Sequence, residues 1–182
     1  MLTTAPPATT VIVIRDVRVN VTHKVKRFAS CRAAQRNTAY DGWGGLRVDY
    51  SWTAAEIEHG EYIGTMSARV SHARILLPTL FWPKMTRAER SAAAASDQAM
   101  LRHERGHIII ALRALRAQHL PQRITVPLGE NYHASADRRS RALLRQLDDA
   151  AVEYDRETAH GLRQGRASLP ELRGPSTAVT CP

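Results

Sequence analysis

The chain has 182 residues, with 26 lysines and arginines against 17 acidic residues, and carries a formal net charge of +9. Its apolar share of 43% is ordinary for a globular protein, and the length suits a single domain with a substantial core. No apolar run approaches the roughly 18 residues of a transmembrane helix, and the spread basic residues form no nucleic-acid motif. We therefore expect neither a transmembrane segment nor a specific nucleic-acid partner.

The first part of the chain predicts a lead-in, a strand and a short helix. Residues 1–10, rich in Thr, Ala and Pro, predict a disordered lead-in. No signal peptide is visible there, because a basic segment and a long apolar segment are both missing. Partial alternation of apolar and polar side chains over 11–25 is typical of a half-buried strand. A short helix is expected at 28–39.

Two further strand predictions follow a glycine-rich turn. Apolar residues recur in period two over 46–53, which indicates a strand with one buried face. The polar stretch 54–60 predicts a connection. Residues 61–77 hold one long strand or two short ones, and Leu77-Pro78 and Trp82-Pro83 then break the pattern, because a proline restricts the backbone of the residue before it.

The second part predicts helices. Thr86 and Glu89 have the spacing of a capping box at a helix start. The proline-free run 87–119 predicts one very long helix, or two helices with the second starting at Asp97. A short extended piece at 123–128 follows.

A second amphipathic helix completes the predicted fold. A loop is expected at 129–135, and a stripe of apolar residues indicates a helix from 136 to about 159, with Gly161 just past its end. The remaining residues, 166–182, predict an irregular tail. Strands followed by helices indicate an α+β domain over 11–165, in which a small, mostly antiparallel sheet packs on two long helices.

One motif on the long helix has metal-ligand spacing. Residues 103–107 read H-E-R-G-H, so His103 and His107 lie one turn apart on the same helix face. Two imidazoles in this arrangement can bind one zinc ion, and Glu104 beside them can act as general base towards a water molecule. The competing interpretation is a solvated helix face that happens to carry His and Glu.

A catalytic zinc needs a third protein ligand. The sequence Y-D-R-E-T-A-H-G at 154–161 offers several, because Glu153, Glu157 and His160 would share one helix stripe. Spacing does not choose between His160 and a carboxylate such as Asp155 or Glu157. Asp155 is also suited to accepting the second N–H of a ligating histidine. His160 has an ordinary structural interpretation as well, as a cation favoured at a helix C-terminus.

Together the two motifs resemble those of a known family. It is the group of predicted bacterial secreted zinc-dependent proteases classified as domain of unknown function nine hundred and twenty-two, which pairs H-E-x-G-H with a later Y-D-x-x-T-x-H-G. The resemblance implies a zincin-like metallopeptidase that acts on proteins or peptides, binds Zn²⁺ and is secreted or periplasmic. It also implies His160 as the third ligand, beside His103 and His107.

The mechanism expected from these residues is hydrolysis of a peptide bond by a metal-activated water, with Glu104 as general base. Tyr154 has two interpretations. Its hydroxyl can donate a hydrogen bond to the oxyanion of the reaction, or it is a core tyrosine whose hydroxyl is satisfied internally. By analogy with other zinc peptidases, an edge strand within 61–77 is expected to hold an extended substrate.

Another class of function fits the charge. A basic binding protein for nucleic acid or an anionic envelope polymer, with a structural zinc or none, would lose binding steeply with salt and would be insensitive to Glu104→Gln. The two cysteines, Cys31 and Cys181, are too far apart in sequence for a zinc–thiolate site. They form one disulfide in an exported protein and are free thiols in a cytosolic one.

Overall fold

A computed structural model describes residues 9–37, 42–53 and 55–182. It is an α+β fold, as predicted, and the described residues form six strands and three α-helices, two of them long. In chain order these are β1 (Thr9–Ile14), β2 (Val17–Arg27), α1 (Cys31–Arg36), β3 (Trp43–Trp52), β4 (Glu56–Glu58), β5 (Glu61–Phe81), α2 (Arg87–Ala117), β6 (Gln122–Pro127) and α3 (Tyr132–Thr158).

The sheet is mixed and is built around β5. On one side β5 pairs antiparallel with β3 and β4, and on the other it pairs with β2 and β6. The β2–β5 pairing is parallel and the other four pairings are antiparallel, so the predicted mostly antiparallel sheet is confirmed with one exception. Because β5 is central, β1 and β3 form the two outer edges of the strand order.

The strand predictions were correct in type, and their differences from the structure occur at turns. Residues 11–25 form a hairpin instead of one strand, because Arg15 and Asp16 both adopt positive φ and reverse the chain. Neither residue is a glycine or asparagine, so the sequence carries no strong turn signal. β1 also begins at Thr9, within the expected lead-in, and the rest of that lead-in lies outside the described residues.

β5 is one strand and runs past Pro78 to Phe81, so the proline does not end it. β3 stops opposite Leu76, which leaves Pro78 facing a partner on the β2 side only. A proline is tolerated there because its missing N–H faces no strand. β4 forms within the predicted connection at 54–60, where a positive-φ turn at His59 and Gly60 folds it onto β5.

The predicted capping box is confirmed: the Thr86 hydroxyl accepts from the Glu89 N–H, and the Glu89 carboxylate accepts from the Thr86 N–H. α2 is one helix of 31 residues without a break at Asp97. α3 begins at Tyr132, four residues before the predicted start, because the Asn131 side chain caps it within the stretch expected to be a loop.

The main core lies between α2 and one face of the sheet. The C-terminal segment is irregular apart from two 3₁₀ turns, as predicted, yet it packs tightly, with Ala167, Leu172 and Val179 buried. A disulfide joins Cys31 to Cys181 and attaches the end of this segment to α1. Within the described residues, no helix is both long and apolar enough to cross a membrane.

Candidate metal centre

The H-E-R-G-H motif lies on α2, as predicted, with both histidines facing α3. The Nε2 atoms of His103 and His107 are 3.3 Å apart. His103 is buried, and the His107 side chain is nearly so. The one-turn spacing therefore brings the two ring nitrogens to a common point, as the helix periodicity requires.

α3 supplies a third donor atom from Asp155. Its Oδ1 lies 3.2 Å from Nε2 of His103 and 3.1 Å from Nε2 of His107. The three atoms form a nearly equilateral triangle, and a tetrahedral zinc site with bonds of about 2.0–2.1 Å has ligand–ligand edges of about 3.3–3.4 Å. Asp155 Oδ1 is buried and makes no hydrogen bond of good geometry. Two imidazoles and a carboxylate converging in this way fit a zinc ion with one position open.

The charges at this point depend on one another. Burial by itself raises the pKa of the Asp155 carboxyl, but the imidazoles of His103 and His107 outweigh it and hold that pKa well below its usual range. Burial lowers the pKa of His103, yet Asp155 and Glu104 beside it leave the net pKa raised. Because the pKa of His103 is raised, a metal ion would compete with a proton for this imidazole.

Glu104 is buried against the start of β3, with only 3% of its surface exposed. A Cβ on Gly42 would lie 2.5 Å from Oε1 of Glu104, and one on Gly44 would lie 2.4 Å from the backbone oxygen of Glu104. The two glycines are therefore what allows the strand to approach the helix. Burial raises the pKa of the Glu104 carboxyl, while the two histidines and the Gly44 N–H oppose that rise.

Tyr154 lies behind the triangle of donor atoms, away from the cleft. It is 1% exposed and its ring stacks on His103, with centroids 5.0 Å apart. Its hydroxyl donates to the backbone oxygen of His103 at 3.3 Å and accepts from Nε2 of Gln164 at 2.7 Å. Burial raises the pKa of Tyr154 to about 12. The structure thus places the hydroxyl as in the core-tyrosine interpretation, pointing at the helix backbone.

The other predicted ligands lie around the triangle. His160 lines the same cleft with its side chain 81% exposed, and its Nδ1 is 3.4 Å from Asp155 Oδ1. It stands outside the metal-capable group that the described residues form, which consists of His103, His107 and Asp155. Glu157 accepts a hydrogen bond from the Ser168 N–H instead. Glu153 pairs with Arg156 on the surface.

One contributor to the site was missed at the sequence level. Gln164 is fully buried, and its Oε1 lies 3.0 Å from Nδ1 of His103. A single glutamine just past the end of the second predicted helix has no local pattern that marks it. Its role becomes visible only because the chain turns back at the end of α3, where Ala159, His160 and Gly161 all have positive φ.

The triangle lies at the floor of a cleft of about 500 Å³. Trp43 and Met100 contribute to its walls, together with Val152 of α3. A shallower groove of about 770 Å³ shares Trp43 with the cleft and continues along β3 as far as Trp52, with α3 as its opposite wall. An elongated ligand can therefore lie along β3 and pass over the donor atoms.

With this α+β fold and this site, the chain belongs to a bacterial protein family of unknown function, DUF922, which matches residues 17–161. No curated protein and no solved structure matches this chain. The matched range contains the whole donor triangle and Glu104. It ends before Gln164 and the rest of the C-terminal segment.

Proposed function

We propose that this protein is a zinc-dependent peptidase of the zincin type. The observation that carries the proposal is the meeting of three lone-pair donor atoms, 3.1–3.3 Å apart, beside a buried glutamate at the floor of an open cleft. A structural zinc site has four protein ligands and is closed, whereas three ligands facing a cleft are typical of a catalytic site. The same donors also suit cobalt, nickel or copper, and zinc is the usual occupant of this motif.

In this proposal His103, His107 and Asp155 hold the ion. When bound there, zinc supplies a Lewis acid that lowers the pKa of water towards 7 and polarises the scissile carbonyl. The carboxylate of Glu104 takes the proton of the attacking water and later delivers it to the leaving amine. The position of Glu104 supports this role, because it lines the same cleft as the three donor atoms.

The substrate strand proposed here is β3. The strand at 61–77, expected from the sequence to be an edge, is β5, and neighbouring strands pair with both of its sides. β3 pairs only with β5 among the described strands, and the groove follows its other edge. An extended peptide can add to this edge through main-chain hydrogen bonds and reach the donor triangle at Trp43.

Export to an oxidising compartment belongs to the same proposal. The Cys31–Cys181 disulfide supports it, because such bonds persist in secreted and periplasmic proteins and are rare in the cytosol. A cleft that continues as a groove along β3 suits protein or peptide substrates. Recovery of the disulfide-bonded protein from the periplasm or medium of its host would test this part.

The first experiment measures metal content and peptide hydrolysis together. We expect one zinc per chain in the wild type and in Glu104→Gln, with hydrolysis of an unstructured protein such as casein reduced at least 10²–10⁴-fold in the variant. Glu157→Gln is the matched control, since this half-buried glutamate lies on the same helix as Asp155 and accepts a hydrogen bond from the Ser168 N–H, away from the donor triangle. No metal in the wild type after dialysis against zinc, or full activity in Glu104→Gln, would refute the proposal.

A pair of variants tests which residue is the third metal ligand. Asp155→Ala should lower zinc affinity strongly, because it removes one of the three converging atoms. His160→Ala should retain the metal, since its exposed ring lies outside the triangle. The reverse pattern would show that His160 is the ligand, as the family resemblance implies, and that Asp155 orients it.

A further inference from the structure

We propose that Gln164 is a positioning residue that holds His103 in the tautomer protonated on Nδ1, so that Nε2 presents its lone pair to the metal. The inference rests on the proposed metal function and adds to it a residue outside the range that matches the family. Gln164 touches neither substrate nor the donor triangle directly. It acts through His103.

Every polar atom of the Gln164 amide has a partner in the protein interior. Its Oε1 lies 3.0 Å from Nδ1 of His103. Its Nε2 donates to the Tyr154 hydroxyl at 2.7 Å and to the Leu172 backbone oxygen at 2.5 Å. The side chain is 0% exposed, so water does not compete for any of these bonds.

These partners define which way the amide points. The Leu172 backbone oxygen can only accept a hydrogen bond, so the amide nitrogen must face it. The single proton of the Tyr154 hydroxyl is donated to the His103 backbone oxygen. In its contact with Gln164 the hydroxyl must therefore accept, so it too faces the amide nitrogen. The amide oxygen is then left facing Nδ1 of His103, and two acceptors cannot share that contact. Nδ1 must carry the proton, which leaves the Nε2 lone pair directed at the triangle.

The C-terminal segment keeps Gln164 in place. The Ser96 hydroxyl on α2 donates to the backbone oxygen of Thr177 at 2.6 Å, and the Thr177 N–H donates to the Gly161 oxygen at 3.2 Å. The disulfide at Cys181 then attaches the end of the segment to α1. These bonds hold the segment that carries Gln164 against α1 and α2. They limit rotation of the Gln164 amide away from His103.

The chain offers a matched control in Gln118. Its Oε1 accepts from the Tyr50 hydroxyl at 2.6 Å and its Nε2 donates to the Leu143 backbone oxygen at 2.9 Å. Gln118 is also buried, and its amide hydrogen-bonds a tyrosine and a backbone carbonyl; among the described residues no hydrogen bond joins it to a histidine. Replacing it therefore reproduces the loss of a buried amide without the contact to a metal ligand.

The test measures zinc affinity by competition with a chromophoric chelator and the ring tautomers by long-range ¹⁵N–¹H spectra. In the metal-free wild type at a pH above the His103 titration, we expect His103 protonated on Nδ1 alone. Gln164→Met should weaken zinc binding about 10–100-fold and mix the tautomers, whereas Gln118→Met should change affinity less than about threefold. Gln164→Glu retains an acceptor for Nδ1 and should restore both readouts, even where it lowers the melting temperature.

Three results would overturn the inference. They are a wild-type His103 protonated on Nε2, equal zinc affinity in Gln164→Met and wild type, and equal losses in Gln164→Met and Gln118→Met. Failure of the proposed function looks different, because a wild type that binds no zinc can still show the Nδ1 tautomer in the metal-free spectrum. If Gln164→Met does not fold, the wild-type spectrum and Gln164→Glu still decide the question.

Discussion

The residues around His103 show how closely the site depends on small side chains. Gly106 lies one turn along α2 and faces Tyr154, and a Cβ there would lie 2.1 Å from the tyrosine hydroxyl oxygen. The neighbour of Gly106 is thus an aromatic side chain. Tyr154 can stack on His103 and reach its backbone oxygen only because this position has no side chain.

Gly106→Ala should therefore destabilise the protein although alanine favours helices. We expect a loss of about 1–3 kcal/mol in the free energy of unfolding from overpacking, partly offset by about 1 kcal/mol of helix propensity. Thermal and urea unfolding measure the net change. Gly129→Ala is the control, because a Cβ there meets no atom within 4 Å. A raised melting temperature in Gly106→Ala would contradict the close packing of Tyr154.

At the scale of elements, the site depends on how two helices and one strand meet. α2 contributes two of the converging donor atoms and Glu104, α3 contributes the third from Asp155, and the start of β3 covers Glu104. The sequence predicts both helices well, because long amphipathic segments with caps have strong local patterns. It did not predict the β1–β2 turn or β4, because their turns use charged residues and histidine in positive-φ conformations.

α2 also contains a titratable group that the site does not use. The Asp97 carboxylate accepts a hydrogen bond from the Leu80 N–H, but burial outweighs it and raises the pKa of Asp97 to about 7. In the unfolded chain the pKa returns to about 3.9. The folded state then binds more protons than the unfolded state between these two values, so folding stability falls as pH rises from about 4 to 7.

Asp97→Asn should remove this pH dependence, since asparagine keeps an acceptor for the Leu80 N–H and cannot ionise. The full shift corresponds to about 4 kcal/mol, and partial solvent access reduces the expected gain at pH 7 to about 1–2 kcal/mol. Urea unfolding from pH 4 to 8 measures it, with exposed Asp149→Asn on α3 as control. A wild-type stability that rises through this range while Asp97→Asn is unchanged would disprove the assignment.

On the scale of the whole molecule, the C-terminal segment closes the fold. Its buried residues pack beside α2 and α3, and Cys181 bonds Cys31 across a sequence separation of 150. Constraining so long a loop in the unfolded chain stabilises the folded state by about 4–5 kcal/mol in the chain-entropy model. The segment is therefore part of the domain, although the sequence marks it only as an irregular tail.

Replacing both cysteines with alanine should lower the free energy of unfolding by about 4–5 kcal/mol. Equilibrium urea unfolding with and without dithiothreitol provides the measurement, and reductant should affect the wild type but not the double variant. We also expect weaker zinc binding in the double variant, because the segment that holds Gln164 is then attached by fewer bonds. Equal stability of the two proteins would show that the disulfide does not constrain the unfolded chain as expected.

The sequence by itself determined the features that depend on neighbours along the chain. These are the α+β class, the two long helices with the capping box of the first, and the meeting of His103 and His107 one turn apart. Helix periodicity fixes such relations within a few residues, so no tertiary information is needed.

Only the tertiary structure decided which further atoms lie beside the imidazoles of His103 and His107. The sequence left Asp155, Glu157 and His160 open as third ligand, and the packing of α3 on α2 brings the Asp155 oxygen to the imidazoles. The same packing turns Tyr154 towards the helix backbone, and the positive-φ turn after α3 brings Gln164 behind His103. The physical reason is that contacts between distant segments depend on shape and burial across the whole domain, which no short stretch of sequence encodes.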